Sequence, residues 1–140
     1  MIGSSLAMAL EVAQFLAGLI VAMAVGNGAE FDLDASEYAT VVYIQPGYHQ
    51  FGLALGPFLF APDPVMGPIS AEVVGHEEGH CIQKQRLGPL YFPVVVVTST
   101  VRHGIAVVMV NTGAWTYQQM STWYRSGFPE AWADRLGGVE

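Results

Sequence analysis

The chain has 140 residues, 52% hydrophobic and 12% charged, with a net charge of −7, which suits one domain with a modest core. Its first basic residue is Lys84 and its basic residues number five, so no positive surface is available to grip phosphates and nucleic acid is excluded as a partner. The charged fraction is about half the usual one, which points to a membrane or a large buried interface, and the single Cys81 excludes an internal disulfide.

From Ser5 to Val25 the chain is almost wholly apolar, interrupted by Glu11 and Gln14. Wound as a helix, such a stretch spans about 30 Å, the hydrocarbon thickness of a bilayer. Its length and its Ala and Gly content favour a transmembrane helix. Glu11 and Gln14 favour a helix buried in a soluble core. A signal peptide is opposed by the absence of Lys or Arg ahead of the apolar run. Residues 1–28 are therefore set apart as an apolar helix and candidate membrane anchor, and residues 29–140 as one metal-binding domain.

Ala29–Glu37 is acidic and rich in turn formers, and reads as a linker. Tyr38–Gln45 and Tyr48–Phe60 read as strands around the turn signal Pro46-Gly47. Ala61–Pro68 reads as a loop. A helix then follows, with Ser70 as its N-cap and Glu72 in its first turn. Lys84 and Arg86 sit in its last turn, and Gly88-Pro89 ends it. Val73, Val74 and Cys81 are its apolar points toward a core. Gly75 and Gly79 weaken a helix by about 1 kcal/mol each relative to Ala; close approach by a neighbouring segment and simple tolerance both account for them.

Beyond it, Val94–Val97 and Ala106–Val110 are rich in β-branched residues and read as strands, with Arg102-His103-Gly104 as a turn between them. A membrane helix over Tyr91–Val110 is the alternative, opposed by Arg102 and His103 near its middle. Trp115–Gly138 has helical spacing with a break at Ser126-Gly127-Phe128-Pro129. Tyr117, Met120, Trp123 and Tyr124 form an aromatic stripe of the kind that packs in a core. Phe128–Gly138 reads as a last helix, opened by Pro129 and stopped by Gly137-Gly138.

The chemistry lies in His76-Glu77-Glu78-Gly79-His80, the pattern H-E-x-x-H. One helical turn separates the two histidines by about 6 Å along the axis, on one face. Two imidazoles so placed can share one Zn²⁺. Glu77 lies about 100° round from His76, poorly placed as a ligand but able to act on a water at the metal. A catalytic zinc has three protein ligands and an open position. The downstream donors are His103, Glu130, Asp134 and Glu140. Glu130 and Asp134 lie one turn apart on the last helix, so Glu130 is expected as the third ligand and Asp134 as the carboxylate that orients a ligand histidine. A hydroxyl such as that of Tyr124 is available to steady an oxyanion.

H-E-x-x-H followed by Glu130-x-x-x-Asp134 resembles the gluzincin metallopeptidases. Leu55-Gly56-Pro57-Phe58, His76–Gln83, Leu87-Gly88-Pro89-Leu90-Tyr91 and Glu130–Val139 are further similar to a group of small, apolar bacterial zincin-like proteins, over about residues 50–140. The chain departs from that group at Glu78, Lys84 and Val97-Thr98-Ser99, where an aromatic, a Ser and a Gly-x-Pro-Ser turn are usual. The resemblance implies an α+β, zincin-like fold, with an H-E-x-x-H helix, a second ligand-bearing helix and a small sheet. It implies a zinc-dependent metallopeptidase: His76, His80 and Glu130 on Zn²⁺, Glu77 as general base, Asp134 supporting a ligand, and a peptide or protein as substrate. Its apolar content places it at a membrane, in bacteria the inner one. The alternative is a non-catalytic membrane or interaction protein with a structural or vestigial zinc site.

Overall fold

The computed structural model describes residues 2–25, 30–44 and 52–139. At its centre are β2 (Thr40–Ile44) and β4 (Phe58–Pro62), paired in parallel with Val42 opposite Phe60. β1 (Glu30–Asp32) pairs antiparallel to the outer side of β2, and β3 (Leu53–Leu55) antiparallel to the outer side of β4. The four-stranded order is β1-β2-β4-β3, which leaves β3 as an edge. The acidic segment read as a linker thus contains a strand. The expected long second strand is a β3–β4 hairpin folded at Gly56-Pro57. The Pro46-Gly47 turn lies outside the described residues.

Strand alternation sends side chains to two faces. Val42, Ile44 and Phe60 pack with Ala22 of α1 (Ile2–Val25), and Val41, Leu59 and Ala61 pack with Val73 and Val74 of α2 (Pro68–Leu87). Both faces of the sheet are therefore covered, and the strands read as apolar runs. α2 starts at Pro68 rather than at Ser70. Proline suits the first helical position because its missing N–H has no partner there. Ser70 does not cap the helix; its hydroxyl donates to the Pro62 carbonyl at 2.6 Å and ties α2 to the end of β4. Glu72 consequently lies past the first turn and pairs with Arg125 at 2.6 Å.

The segment read as two strands is helical throughout. Phe92–Val96 is wound as a π-helix and continues into α3 (Val97–Asn111), with Arg102-His103-Gly104 inside the helix. β-branched residues favour strands only weakly, and packing overrides them. Here Val95 and Ala106 are buried on one side while Val97, Val101, Ile105 and Val108 are exposed on the other, a helical period rather than a period of two. Among the described residues, Phe92–Asn111 is the one helix long and apolar enough to cross a bilayer; the apolar run in α1, Met8–Ala24, is shorter.

α4 (Tyr117–Ser126) opens with a reciprocal cap: Thr116 Oγ1 accepts from the Gln119 N–H and Gln119 Oε1 accepts from the Thr116 N–H. Its aromatic stripe is not core, since no residue of α4 is buried and Tyr117 is 75% exposed. Trp123 is instead stacked under Arg102, whose guanidinium lies 3.9 Å from the ring centre. α5 (Glu130–Gly137) ends on Gly138 in the left-handed conformation, as its paired glycines lead one to expect.

Candidate metal centre

α5 lies directly along α2, and glycines set the spacing. A β-carbon on Gly79 would run into the backbone of Ala133, and one on Gly137 into the Gly75 carbonyl. A β-carbon on Gly75 would stand 2.8 Å from Val139 Cγ2 and 3.0 Å from the Gly137 carbonyl oxygen. Close approach, not tolerance, explains glycine in the H-E-x-x-H helix. It brings the first residue of α5, Glu130, onto the histidine face of α2.

There, Glu130 Oε2 lies 3.1 Å from His76 Nε2 and 3.1 Å from His80 Nε2. The donor atoms of the three residues all lie within 4.8 Å of one another. Ligand atoms around a tetrahedral zinc stand roughly 3.4 Å apart, from metal–ligand distances of about 2.0–2.1 Å. His76, His80 and Glu130 therefore form a group that can hold a metal ion.

The outer nitrogens are also engaged. His76 Nδ1 is 2.7 Å from Asp134 Oδ1, and His80 Nδ1 is 2.9 Å from Gln83 Oε1. With the proton on each Nδ1 donated to these acceptors, each Nε2 lone pair points to the shared centre, the tautomer that metal ligation needs. Without a metal, each ring meets an acceptor at both nitrogens, which only the imidazolium satisfies. Burial opposes that charge at His76, but the Glu130 hydrogen bond, the Glu77 charge and Asp134 outweigh it and push the pKa up to about 9. His80 is raised in the same way against burial, by Glu130 and Glu77. Glu130 moves the other way: burial would raise it, but its hydrogen bonds to His76 and His80 hold it well below the usual carboxylate range.

Glu130 has a second oxygen, and two hydroxyls hold it. Ser99 Oγ donates at 2.5 Å and Tyr124 Oη at 2.9 Å to Oε1, and the hydroxyls are 2.6 Å apart. Oε1 is thereby occupied and Oε2 left to the metal position. Gln83 is fully buried and donates to the Pro129 carbonyl at 2.9 Å, so it links His80 to the start of α5. Arg125 donates to Asp134 Oδ1 at 2.8 Å.

Glu77 is 5% exposed and lines the same cavity, of about 490 Å³, bounded by α2, β3, α3 and α4. Burial pushes its carboxyl up, against the pull of His80 and His76. The Ala54 main chain of β3 also pulls it down, toward the ionised form. Gly52 lies so close to the Glu77 carboxylate and Val73 that a β-carbon would overlap them. The cavity thus has a general-base candidate, a three-donor metal position and a strand edge on one wall.

His103 lines this cavity as an exposed residue, edge-on to Tyr124 at 5.6 Å between ring centres, outside the metal group. Glu140 lies outside the described residues. Cys81 is buried and away from the donors, its thiol pushed up to about 11 by burial. Gln83 and Ser99 are contributors that sequence reading missed. The signal for Gln83 was its place three residues after His80, on the same helix face. Ser99 carried none, because it fell between the two segments read as strands, with no periodic link to the ligand residues.

Searches against family models, curated proteins and solved structures return no match to this chain.

Proposed function

We propose that this protein is a membrane-associated, zinc-dependent peptidase with a gluzincin-type, zincin-like site. The observation that carries the reading is the convergence of His76 Nε2, His80 Nε2 and Glu130 Oε2, with Glu77 buried in the same cavity. Three donors among the described residues leave a position open, the pattern of catalytic rather than closed structural zinc. The nitrogen–nitrogen–carboxylate donor set suits zinc.

Bound there, zinc would supply Lewis acidity, polarising a carbonyl and acidifying a water. Glu77 is the group in the cavity that would accept a proton from an attacking water and return it to the leaving nitrogen. Asp134 and Gln83 hold the two imidazoles in register, while Ser99 and Tyr124 hold Glu130. An extended peptide would lie against β3, an edge strand among the described residues, where main-chain groups can add it as a strand. Tyr124 faces the same cavity, but its one hydroxyl proton is donated to Glu130 Oε1, so it acts on the metal ligand rather than on the substrate.

The exposed apolar faces of α1 and α3 favour a second reading, a non-catalytic membrane or interaction protein with structural zinc. Metal analysis together with Glu77→Gln separates the two. The peptidase reading requires about one zinc per chain, its loss in Glu130→Gln, and retention of zinc in Glu77→Gln with hydrolysis falling by about 10²–10⁴-fold. Full activity in Glu77→Gln would remove this mechanism, and zinc without hydrolysis in the wild type would favour the second reading.

A further inference from the structure

The helix Phe92–Asn111 is a wall with two unlike faces. Val95, Ser99 and His103 face the cavity. Arg102, its only Lys, Arg, Asp or Glu, turns inward as well, stacked on Trp123 and donating to the Trp123 carbonyl at 2.5 Å. On the outward side Val97, Val101, Ile105 and Val108 recur at helical spacing and are 45, 56, 46 and 58% exposed. That stripe carries no charge.

Lipid is the occupant these features fit. The helix has 20 residues, and only 11% of its apolar window is buried, whereas the core helix of a soluble fold is mostly buried. Protein interfaces concentrate Tyr, Trp, Met and Arg at their centres; this stripe is purely aliphatic. α1 offers a second apolar face in Met8, Val12, Leu16, Ile20 and Met23, all exposed. A helix is about 10 Å across with its side chains, so a bilayer on the outward stripe stands about that far from the cavity.

The cavity wall is apolar too, with Leu53, Leu55, Val73, Val96 and Met120 on it. Its guanidinium, Arg125, is committed to Glu72 and Asp134. A substrate carboxylate would lose hydration there beside Glu77 and Glu130, with no uncommitted Lys or Arg in the lining among the described residues. We infer that the site takes uncharged, apolar peptide segments presented by the bilayer, with the 92–111 helix as the partition between lipid and reacting centre. This rests on the peptidase reading above.

The test uses the full zinc-loaded chain in vesicles of phosphatidylcholine and phosphatidylglycerol. A fluorophore is placed at Val101→Cys, Ile105→Cys or, as a water-facing control on α4, Thr122→Cys; buried Cys81 stays unlabelled. Nitroxide-bearing lipids should quench the first two labels and spare the third. In the same vesicles, a Leu/Ala-rich peptide of about 20 residues, long enough to embed, should be cleaved at least about ten times faster than a charged, water-soluble peptide, a difference of about 1.4 kcal/mol in barrier. Unquenched labels at 101 and 105, or equal or faster cleavage of the soluble peptide, overturn the inference and leave the peptidase reading intact. Cleavage of neither peptide by the zinc-loaded chain overturns the peptidase reading and the inference with it.

Discussion

Gly79 of α2 and Ala133 of α5 are packed backbone to backbone, with no room for a β-carbon between them. This contact sets the distance between the helix that carries His76 and His80 and the helix that carries Glu130. Gly79→Ala must push α5 away, because the obstacle is main chain rather than a mobile side-chain end. Overpacking of this kind costs about 1–3 kcal/mol, and denaturant unfolding should show at least that loss, together with weaker zinc binding by calorimetry. Gly104→Ala is the contrast. It lies inside α3 with nothing within 4 Å of its β-carbon position, so helix propensity alone should stabilise the fold by about 0.5–1 kcal/mol. A neutral Gly79→Ala would contradict the packing account.

Gln83 and Asp134 orient the ligand imidazoles through their outer nitrogens. Gln83→Leu and Asp134→Asn should each weaken zinc binding about 10–100-fold. Gln83→Leu should also lower metal-free stability by about 1–3 kcal/mol, since it leaves the Pro129 carbonyl and His80 Nδ1 without their buried partner. Competition titration against a zinc chelator reads the first effect, and urea unfolding of the metal-free protein the second. Unchanged zinc affinity in both variants would show that neither residue orients a ligand.

Ser99 and Tyr124 share Glu130 Oε1, so either hydroxyl can hold the carboxylate when the other is gone. Ser99→Ala and Tyr124→Phe should each have a modest effect on zinc affinity. The double variant should lose more than the sum of the single losses, a coupling of about 0.5–3 kcal/mol in a double-mutant cycle. Strict additivity would mean that the hydroxyls act separately.

The metal-free site is a proton trap, and the sign of its pH dependence follows. The pKa of His76 is raised from 6.5 to about 9, so its contribution to metal-free stability is complete below about 6.5 and lost as pH rises through about 9. The melting temperature of the metal-free protein should fall across that window. The increment added by zinc should grow across the same window, because metal binding displaces the protons. Calorimetric scans with and without zinc from pH 6 to 9 check both slopes; a metal-free melting temperature that rises over this range would contradict the site geometry.

Local periodicity settled much of this protein before any tertiary contact was considered. The spacing of His76, Glu77 and His80 fixed two imidazoles on one helix face, and Glu130 and Asp134 repeated the device on a second helix, because 3.6 residues per turn is a property of the chain itself. Gly88-Pro89 and Gly137-Gly138 marked the helix ends for the same local reason. Tertiary packing decided the rest. Val94–Val110 became helix because one side of it packs inward on the rest of the fold, a choice that β-branched side chains do not encode alone. Ser70 turned from cap to tether because the end of β4 came within reach. Gln83 and Ser99 joined the centre through partners 46 and 31 residues away, and contacts over such separations leave no periodic trace in a single sequence. Which donors the chain owns was written locally; that they meet around one point depends on two helices close enough to exclude a methyl group between Gly79 and Ala133.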